Sequence, residues 1–535
     1  MPVPTSDFLI LGYGPVGATL AALLTRYGHT VTVVDQATAI YDKPRAISLD
    51  HEALRVLQAA GLTEALMPFL APHTGTDFLG ADGAVIQRLD PMAPPFPLGW
   101  WPNACFIQPL LEAALRTQVT TNGGATLLLG WQAVTLIQNG DGVSLTLRDA
   151  KGDERAVAAR YLLACDGANS FVRRELGIGV EDLTFDEWWM VVDTRVRDAS
   201  ALPKKSLQYC RPSRPASYVV GPLDLRRWEI KLLPGEDPTA FGDAANVHRL
   251  IGEFADLSQL EVWRSAVYRF HAVVATRWRS GRAFLLGDAC HQMPPFLGQG
   301  LCGGIRDVGN LAWKLDMVVR GRAADELLDS YEVERKPHVR AVVAYAKELG
   351  QIVGELDPAR AADRDRRLLA AMARGETETI RQKFIPDLTA GIVDAASGGG
   401  RLFAQPRIWR SDGREMLLDD AVTPGFLIAV RDPAALGWLT PEACALWRSI
   451  GGTAIVIGPA GQQATHPPSP TGDSLLAYHR VTENDGLFAA LLEEHRAAAI
   501  VVRPDRYIYA TARDAAALDT AVARLGSQLG LQPGS

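Results

Sequence analysis

Cysteine is scarce in this chain of 535 residues: there are six, at positions 105, 165, 210, 290, 302 and 444. They form no C-x-x-C pair and no evenly spaced framework, which excludes a disulfide scaffold and argues against a thiolate zinc site. No metal is expected, and a reducing compartment, the cytoplasm, suits such usage. Positive charge is not in excess either. The 54 Lys and Arg against 61 Asp and Glu leave a net charge of −7, which argues against nucleic acid as a partner. No apolar run reaches the roughly 18 residues of a membrane span, so no membrane partner is expected. The apolar run 8–24 has no Lys or Arg before it and is interrupted by Gly12, Gly14 and Pro15. It reads as a first βα unit and not as a signal peptide. What remains is ordinary globular usage, 47% hydrophobic and 21% charged, with room for roughly two to four domains.

What the chain does have is glycine and aspartate at the ends of apolar strands. A strand at 7–11 runs into Gly12-Tyr-Gly14-Pro-Val-Gly17, a helix follows over 18–27, and a second strand, 30–34, ends in Asp35. This is the dinucleotide fingerprint in its required setting. The first glycine permits the tight turn, the second lets backbone approach a pyrophosphate, the third lets helix pack on strand, and the acid can accept from a ribose hydroxyl. A strand at 161–164 ends in Cys165-Asp166-Gly167, again at the end of a strand where open α/β sheets bind ligands. A third strand, 282–286, delivers Gly287-Asp288, then His291, Pro294-Pro295, and Gly298-Gln-Gly300-Leu-Cys-Gly303, with a helix expected to begin near Gly303. Such a stretch brings bare backbone and a helix N-terminus against a flat anionic ligand.

The three motifs in this order resemble those of the group A flavoprotein aromatic hydroxylases. Further matches are similar to the 3-(3-hydroxyphenyl)propionate hydroxylase and phenol hydroxylase branch. They are Pro44-Arg45-Ala46-Ile47 with the 50–55 segment, Gln108-Pro109, Arg226-Arg227-Trp228-Glu229 with Leu233-Pro234-Gly235-Glu236, Asn310 to Leu315, and Tyr331 to Arg335. The likeness is specific over about 5–345 and weaker beyond. Where many relatives carry Met-Asn after Gly-Gln-Gly, this chain has Leu301-Cys302, which removes an amide side chain near the flavin.

The resemblance implies an α/β fold: a Rossmann-like FAD-binding domain, an inserted mixed β-sheet substrate domain, and a C-terminal thioredoxin-like domain. The expected boundaries are 1–180 (with 75–100 contributing to the substrate domain), 181–267, 268–395 and 401–535. It implies FAD as cofactor, NADH or NADPH as donor, and a small aromatic substrate with O₂, which adds at the flavin C4a before one oxygen is inserted. Gly12, Gly14 and Gly17 should approach the FAD pyrophosphate and Asp35 the adenosine ribose, with Arg45 and Gln108 near the phosphates and ribityl chain. Asp166 and Gly167 should shape the cleft, Asp288 should hold a ribityl hydroxyl, and the amides from Gly298 through Gly300 to Gly303 should face the flavin N1 and C2 carbonyl. Pro294 and Pro295 should line the pocket before C4a. His291 is a candidate base, although a buried orienting role also fits.

On the substrate side Tyr218 is the first candidate, with Gln208 and Arg211 behind it, and His51, Trp188 and Trp189 within reach of the pocket. In the 227–232 stretch charged and apolar residues alternate, so one face is expected to be solvated and the other packed. The 331–383 stretch reads as helical. Ser397-Gly398-Gly399-Gly400 reads as a linker to a β-α-β-α-β-β-α domain, in which unpaired Cys444 argues for a structural or oligomerising role; a homodimer is left open. Two other readings stand beside the hydroxylase: a flavin reductase, oxidase or epoxidising tailoring enzyme on the same scaffold, and a non-enzymatic FAD-domain binding protein.

Overall fold

A computed structural model describes residues 5–410, 413–459 and 476–531. Its first sheet is built on five parallel strands in the spatial order Ala283–Leu285, Glu154–Ala164, Ser6–Leu11, Val31–Asp35, Ala125–Leu129. The inner strands are continuously apolar because helices cover the sheet, as parallel sheets require. The helix Pro15–Arg26 is accordingly buried from Gly17 to Thr25. Register decides where chemistry can be placed: Leu11 pairs with Ala164 and with Val34, and Ala164 pairs with Leu285. The loops after these strands therefore leave the sheet at one level of its C-terminal edge.

A second, eight-stranded sheet stands beside it, in the order His291–Gln292, Leu260–Ala275, Val180–Val196, Leu225–Lys231, Ala216–Val220, Ser206–Tyr209, Thr76–Leu79, Val85–Leu89. The strand Leu260–Ala275 runs unbroken across the expected boundary at 267 and ends against His291–Gln292, so this sheet reaches the cofactor loops directly. Helix Ala244–Ile251 covers one of its faces, packing Val247, Leu250 and Ile251 on Met190, Tyr218 and Trp228. The 331–383 stretch is two helices, Ser330–Gly354 and Pro358–Ala373, and then a short turn at Arg381–Phe384.

The C-terminal sheet has seven strands, in which Leu427–Val430, Thr453–Gly458 and His479–Glu483 are parallel and Ala499–Val502 and Ile508–Ala512 antiparallel. The expected elements are present with ends shifted by at most two residues, but three strands were not expected: His479–Glu483, and the three-residue Arg407–Trp409 and Glu415–Leu417. The glycine run is no free linker. A Cβ on Gly400 would lie 2.0 Å from the Leu388 carbonyl oxygen, and the Gly400 N–H donates to Ile508 O at 2.9 Å. Glycine is there because two backbones touch. Beyond this joint, Arg503 is buried between Glu334 (2.8 Å) and Asp505 (2.6 Å), and Lys314 also meets Glu334 at 2.8 Å. Burial pushes the Glu334 carboxyl up, but Arg503 and Lys314 outweigh it and bring it down to about 2.

Candidate active site

Glycines around the first loop do two different jobs. Gly12 has φ +100°, and a Cβ on it would lie 2.2 Å from the Cys165 carbonyl oxygen; one on Gly17 would lie 1.9 Å from Gly12 O. These two are clamped by backbone. A Cβ on Gly14, Gly167 or Gly300 would meet nothing within 4 Å, so there the bare backbone faces open space. Asp35, at the end of Val31–Asp35, accepts from Tyr13 N at 2.6 Å and Ala37 N at 2.7 Å, which fixes the loop from its acid side.

Asp166 follows the neighbouring strand and accepts from Val172 N at 3.1 Å, in the first turn of a short helix capped by Ser170, while its Oδ1 is buried without a partner among the described residues. Burial pushes its carboxyl up, opposed by Ser170 and the amides of Val172 and Phe171. Arg173 ties this motif to the third one, donating to Ala168 O at 2.9 Å and Ala289 O at 2.7 Å. Asp288, in the loop after Ala283–Leu285, is exposed to solvent yet closely surrounded by protein. That enclosure pushes its carboxyl up against the pull of His291 and Arg45. Gln108 does not point outward. Its Oε1 accepts from Ala46 N at 2.6 Å and its Nε2 donates to Glu112 at 2.8 Å, so it holds the loop that carries half-exposed Arg45.

The third loop turns at Pro294 and Pro295 and passes through left-handed Gly298 into the helix Gly300–Val319, which begins three residues earlier than expected. The first amides of that helix have no acceptor within it and no side-chain cap, leaving a partial positive charge at its mouth. Cys302 is buried, and its thiol reaches Gly298 O at 3.6 Å and Ser48 O at 3.8 Å; it fastens the turn from behind. Gly303 is not an open position, since a Cβ would lie 3.1 Å from His291 Cε1.

His291 is therefore behind the loop and not in front of it. Its Nε2 is 2.8 Å from Asp307, and its ring lies 5.5 Å from that of Trp278. With Arg335 on the other Asp307 oxygen at 3.0 Å, the histidine orients the third loop, and the reading of it as a base toward substrate is corrected. Cys290, His291 and Asp307 converge closely enough to suggest a metal, but Asp307 already serves a histidine and an arginine. From the mouth of the same helix a buried chain runs to the C-terminal domain: Gln299 accepts from Arg306 at 2.8 Å, Arg306 pairs with Asp50 and Glu52, and Tyr507 donates to Glu52 at 2.7 Å.

The substrate-side readings need the most correction, because strand parity sends neighbouring residues to opposite faces. Tyr218 is 1% exposed in the cluster under Ala244–Ile251, its ring 5.2 Å from that of Trp228 and its hydroxyl donating to Pro203 O at 3.2 Å. Arg211 pairs with Glu253 at 3.2 Å and lies over Phe254, on that same outer side. Gln208 is on the opposite face, bonded to Ser217 at 2.5 Å. The charged residues expected in solvent are on this face too. Arg227 is buried, holds Asp193 at 2.7 Å and donates to Arg45 O at 2.7 Å, while Arg264 joins Asp193 at 3.2 Å and Pro44 O at 2.8 Å. Glu229 is buried with Arg227 at 4.0 Å, and burial pushes its carboxyl up against that cation. Trp189 packs edge-on against Phe296, 5.0 Å between centroids, whereas Trp188 turns outward under Arg269. His51 lies among Asp50, Glu52, Arg306 and Arg55, and burial takes it down to about 4 despite the two acids.

These residues fit FAD: a glycine turn with an acid behind it, an orphaned buried aspartate oxygen, open backbone at Gly14, Gly167 and Gly300, and an uncapped helix mouth, all around one cleft at a sheet's C-terminal edge. When bound there, FAD would supply hydride acceptance and oxygen activation. Fold and site together define a flavoprotein oxidoreductase. Comparison with known proteins carries this further. Residues 5–346 match the FAD binding domain family and 400–528 the HcaD C-terminal domain. The 3-(3-hydroxy-phenyl)propionate/3-hydroxycinnamic acid hydroxylase of Burkholderia cenocepacia is 35% identical over 517 residues, covering 94% of this chain and 93% of that one. The "Probable NADH-specific resorcinol 4-hydroxylase" of Rhodococcus jostii is 33% identical, covering 96% and 93%. Among solved structures the flavin-dependent monooxygenase PieE superposes with a TM-score of 0.80 at 20% identity, covering 99% of this chain and 100% of that one. Aklavinone-11 hydroxylase reaches 0.74 at 22%, covering 98% and 99%. The chain belongs to the FAD-dependent aromatic hydroxylases, and it is an enzyme of the monooxygenase kind.

Proposed function

We propose that this enzyme uses NADH or NADPH to hydroxylate a small phenolic compound, and that its site is the cleft between the two large sheets. The observation that carries this reading is the common level of the strand ends Leu11, Ala164 and Leu285, which brings the three cofactor motifs together beside a sheet anchored on the Pro-Pro loop through Trp189 and Phe296. Gly12, Gly14 and Gly17 would receive the pyrophosphate, Asp35 the ribose, Asp166 and Asp288 the cleft-facing hydroxyls, and the helix mouth at Gly298 to Gly303 the flavin's negative edge. Arg45 would reach phosphate from the loop that Gln108 holds, and Pro294 and Pro295 would wall the ring side. The protein's own work is to position the ring, keep out water, and hold the loops still.

That two relatives are named for hydroxyphenyl propionate and resorcinol supports a simple phenol as the substrate proposed for this chain. Six unpaired cysteines, five of them buried, support a cytosolic setting, and among the described residues no helix is long and apolar enough to cross a membrane. The test is NADH and NADPH oxidation by the purified yellow protein across phenols and phenolic acids, with peroxide and product mass measured together. Substrate-stimulated oxidation with a gain of one oxygen and little peroxide is expected. Peroxide in full yield with every phenol would point to an oxidase.

A further inference from the structure

Arg381 is a cation without a counter-ion. It stands on the short turn Arg381–Phe384 and is 6% exposed; among the described residues it makes one hydrogen bond, to Thr76 Oγ1 at 3.2 Å, and its Nε is buried with no partner. No carboxylate lies within ion-pair distance of it among the described residues. The nearest acid to influence it, Asp50, is committed to Arg306. Arginine does not shed its proton in proteins, and burying a guanidinium unpaired is costly. Such a residue is expected where an anion is bound for part of the time.

Its surroundings say which anion. Arg381 lines a partly open cavity of about 50 Å³ together with His73, Asp90, Met92, Phe96 and Trp101. That volume is several times the room one water needs, and it suits a carboxylate-sized group. His73 is pushed down to about 3 by burial and by Arg381, so it is neutral; its Nδ1 accepts from Gly75 N at 3.0 Å, which leaves the proton on Nε2 as a donor. Asp90 is turned to Lys205 at 3.7 Å. The cavity also adjoins the flavin loop, because a Cβ on Gly298 would lie 3.4 Å from Arg381 Nη1. Arg381 thus stands where the helix mouth meets Thr76 of the substrate sheet.

We propose that Arg381 anchors the carboxylate of an aromatic acid, so that the substrate is an anionic phenol bearing a side-chain acid and not a neutral one. This rests on the hydroxylase reading of the cleft. Recognition is by a charge-assisted guanidinium–carboxylate contact, with Phe96, Trp101 and Met92 as the apolar wall.

The experiment is equilibrium binding to the FAD-loaded enzyme, read by flavin absorbance. The ligands are benzoate, phenylacetate, 3-phenylpropionate and 3-(3-hydroxyphenyl)propionate, each beside its primary amide, with resorcinol as the neutral phenol. The expected result is that wild type binds at least one acid tenfold or more tighter than its amide. Arg381→Met abolishes that preference and leaves amide and resorcinol binding within twofold; Arg381→Lys keeps part of it. Should Arg381→Met fail to fold, the wild-type acid-to-amide ratios and the lysine variant decide alone. Equal affinity for every acid and amide in wild type overturns the proposal. So does a variant that weakens acid and amide alike, or one that shifts the ligand-free flavin potential while keeping acid preference. Product mass is scored separately, so an enzyme that prefers acids but makes only peroxide loses the hydroxylase reading and keeps the anchor.

Discussion

The cofactor side and the substrate side of the cleft are built by opposite means. On the proposed cofactor side, what is offered is backbone: glycines clamped at Gly12 and Gly17, open at Gly14, Gly167 and Gly300, and the uncapped amides of Gly300–Val319. Across the cleft, the sheet is held by side chains, with Arg227 and Arg264 gathered on Asp193 and reaching the carbonyls of residues 44 and 45. Backbone recognition tolerates little change at a few positions. Side-chain anchoring leaves neighbouring positions free to vary, which is how one scaffold can take different rings.

The largest effect should come from the cofactor side. Gly12→Ala puts a Cβ 2.2 Å from a carbonyl oxygen at φ +100°, so destabilisation of roughly 5 kcal/mol or more is expected, with loss of bound FAD. A variant that purifies yellow with an unchanged melting temperature would break the contrast at its strongest point. Next is Asp193→Asn, which leaves two buried guanidinium groups short of their shared carboxylate. It should cost about 3–5 kcal/mol, read in urea unfolding, while the FAD content of the folded fraction stays near that of wild type. Loss of flavin without loss of stability would mean that the sheet serves the cofactor directly.

Asp288→Ala sharpens the comparison from the other direction. Removing this carboxylate should weaken FAD retention by about 10- to 100-fold, as for a lost hydrogen bond to a charged group, with little change in melting of the apoprotein. Unchanged FAD affinity by ultrafiltration would remove Asp288 from the site. Smallest is Tyr218→Phe, which deletes one hydrogen bond to Pro203 O on the outer face. A stability loss of about 1 kcal/mol is expected, and KM for any phenol should not move. A changed KM would return Tyr218 to the pocket.

Legibility followed the same division. The strand, glycine and acid pattern of 7–35 could be read in order because each residue acts on its chain neighbours, and the observed strand and helix ends differ by a residue or two except at Pro15. The alternation at 227–232 was also visible. What could not be read was which face meets the FAD domain, and a solvated face was assigned to Arg227, Glu229 and Lys231, which are buried. For an alternating strand in a sheet covered on both sides, pattern alone cannot say which side holds the ligand. Arg381 gave no signal at all, because its hydrogen-bond partner Thr76 and its neighbour Gly298 lie far along the chain.

By itself the sequence determined the cofactor side: short-range steric rules make glycine obligatory at a tight turn, and an apolar strand ending in aspartate needs no distant partner to be recognised. Only the tertiary structure decided the rest. It turned His291 behind its loop, set Tyr218 outside and Gln208 inside, bound Arg503 to Glu334, and left Arg381 in a cavity with no carboxylate partner among the described residues. The reason is that a side chain's role depends on the charges and surfaces brought to it by folding, which no local pattern names, whether the partner is Asp307, 16 residues from His291, or Thr76, 305 residues from Arg381.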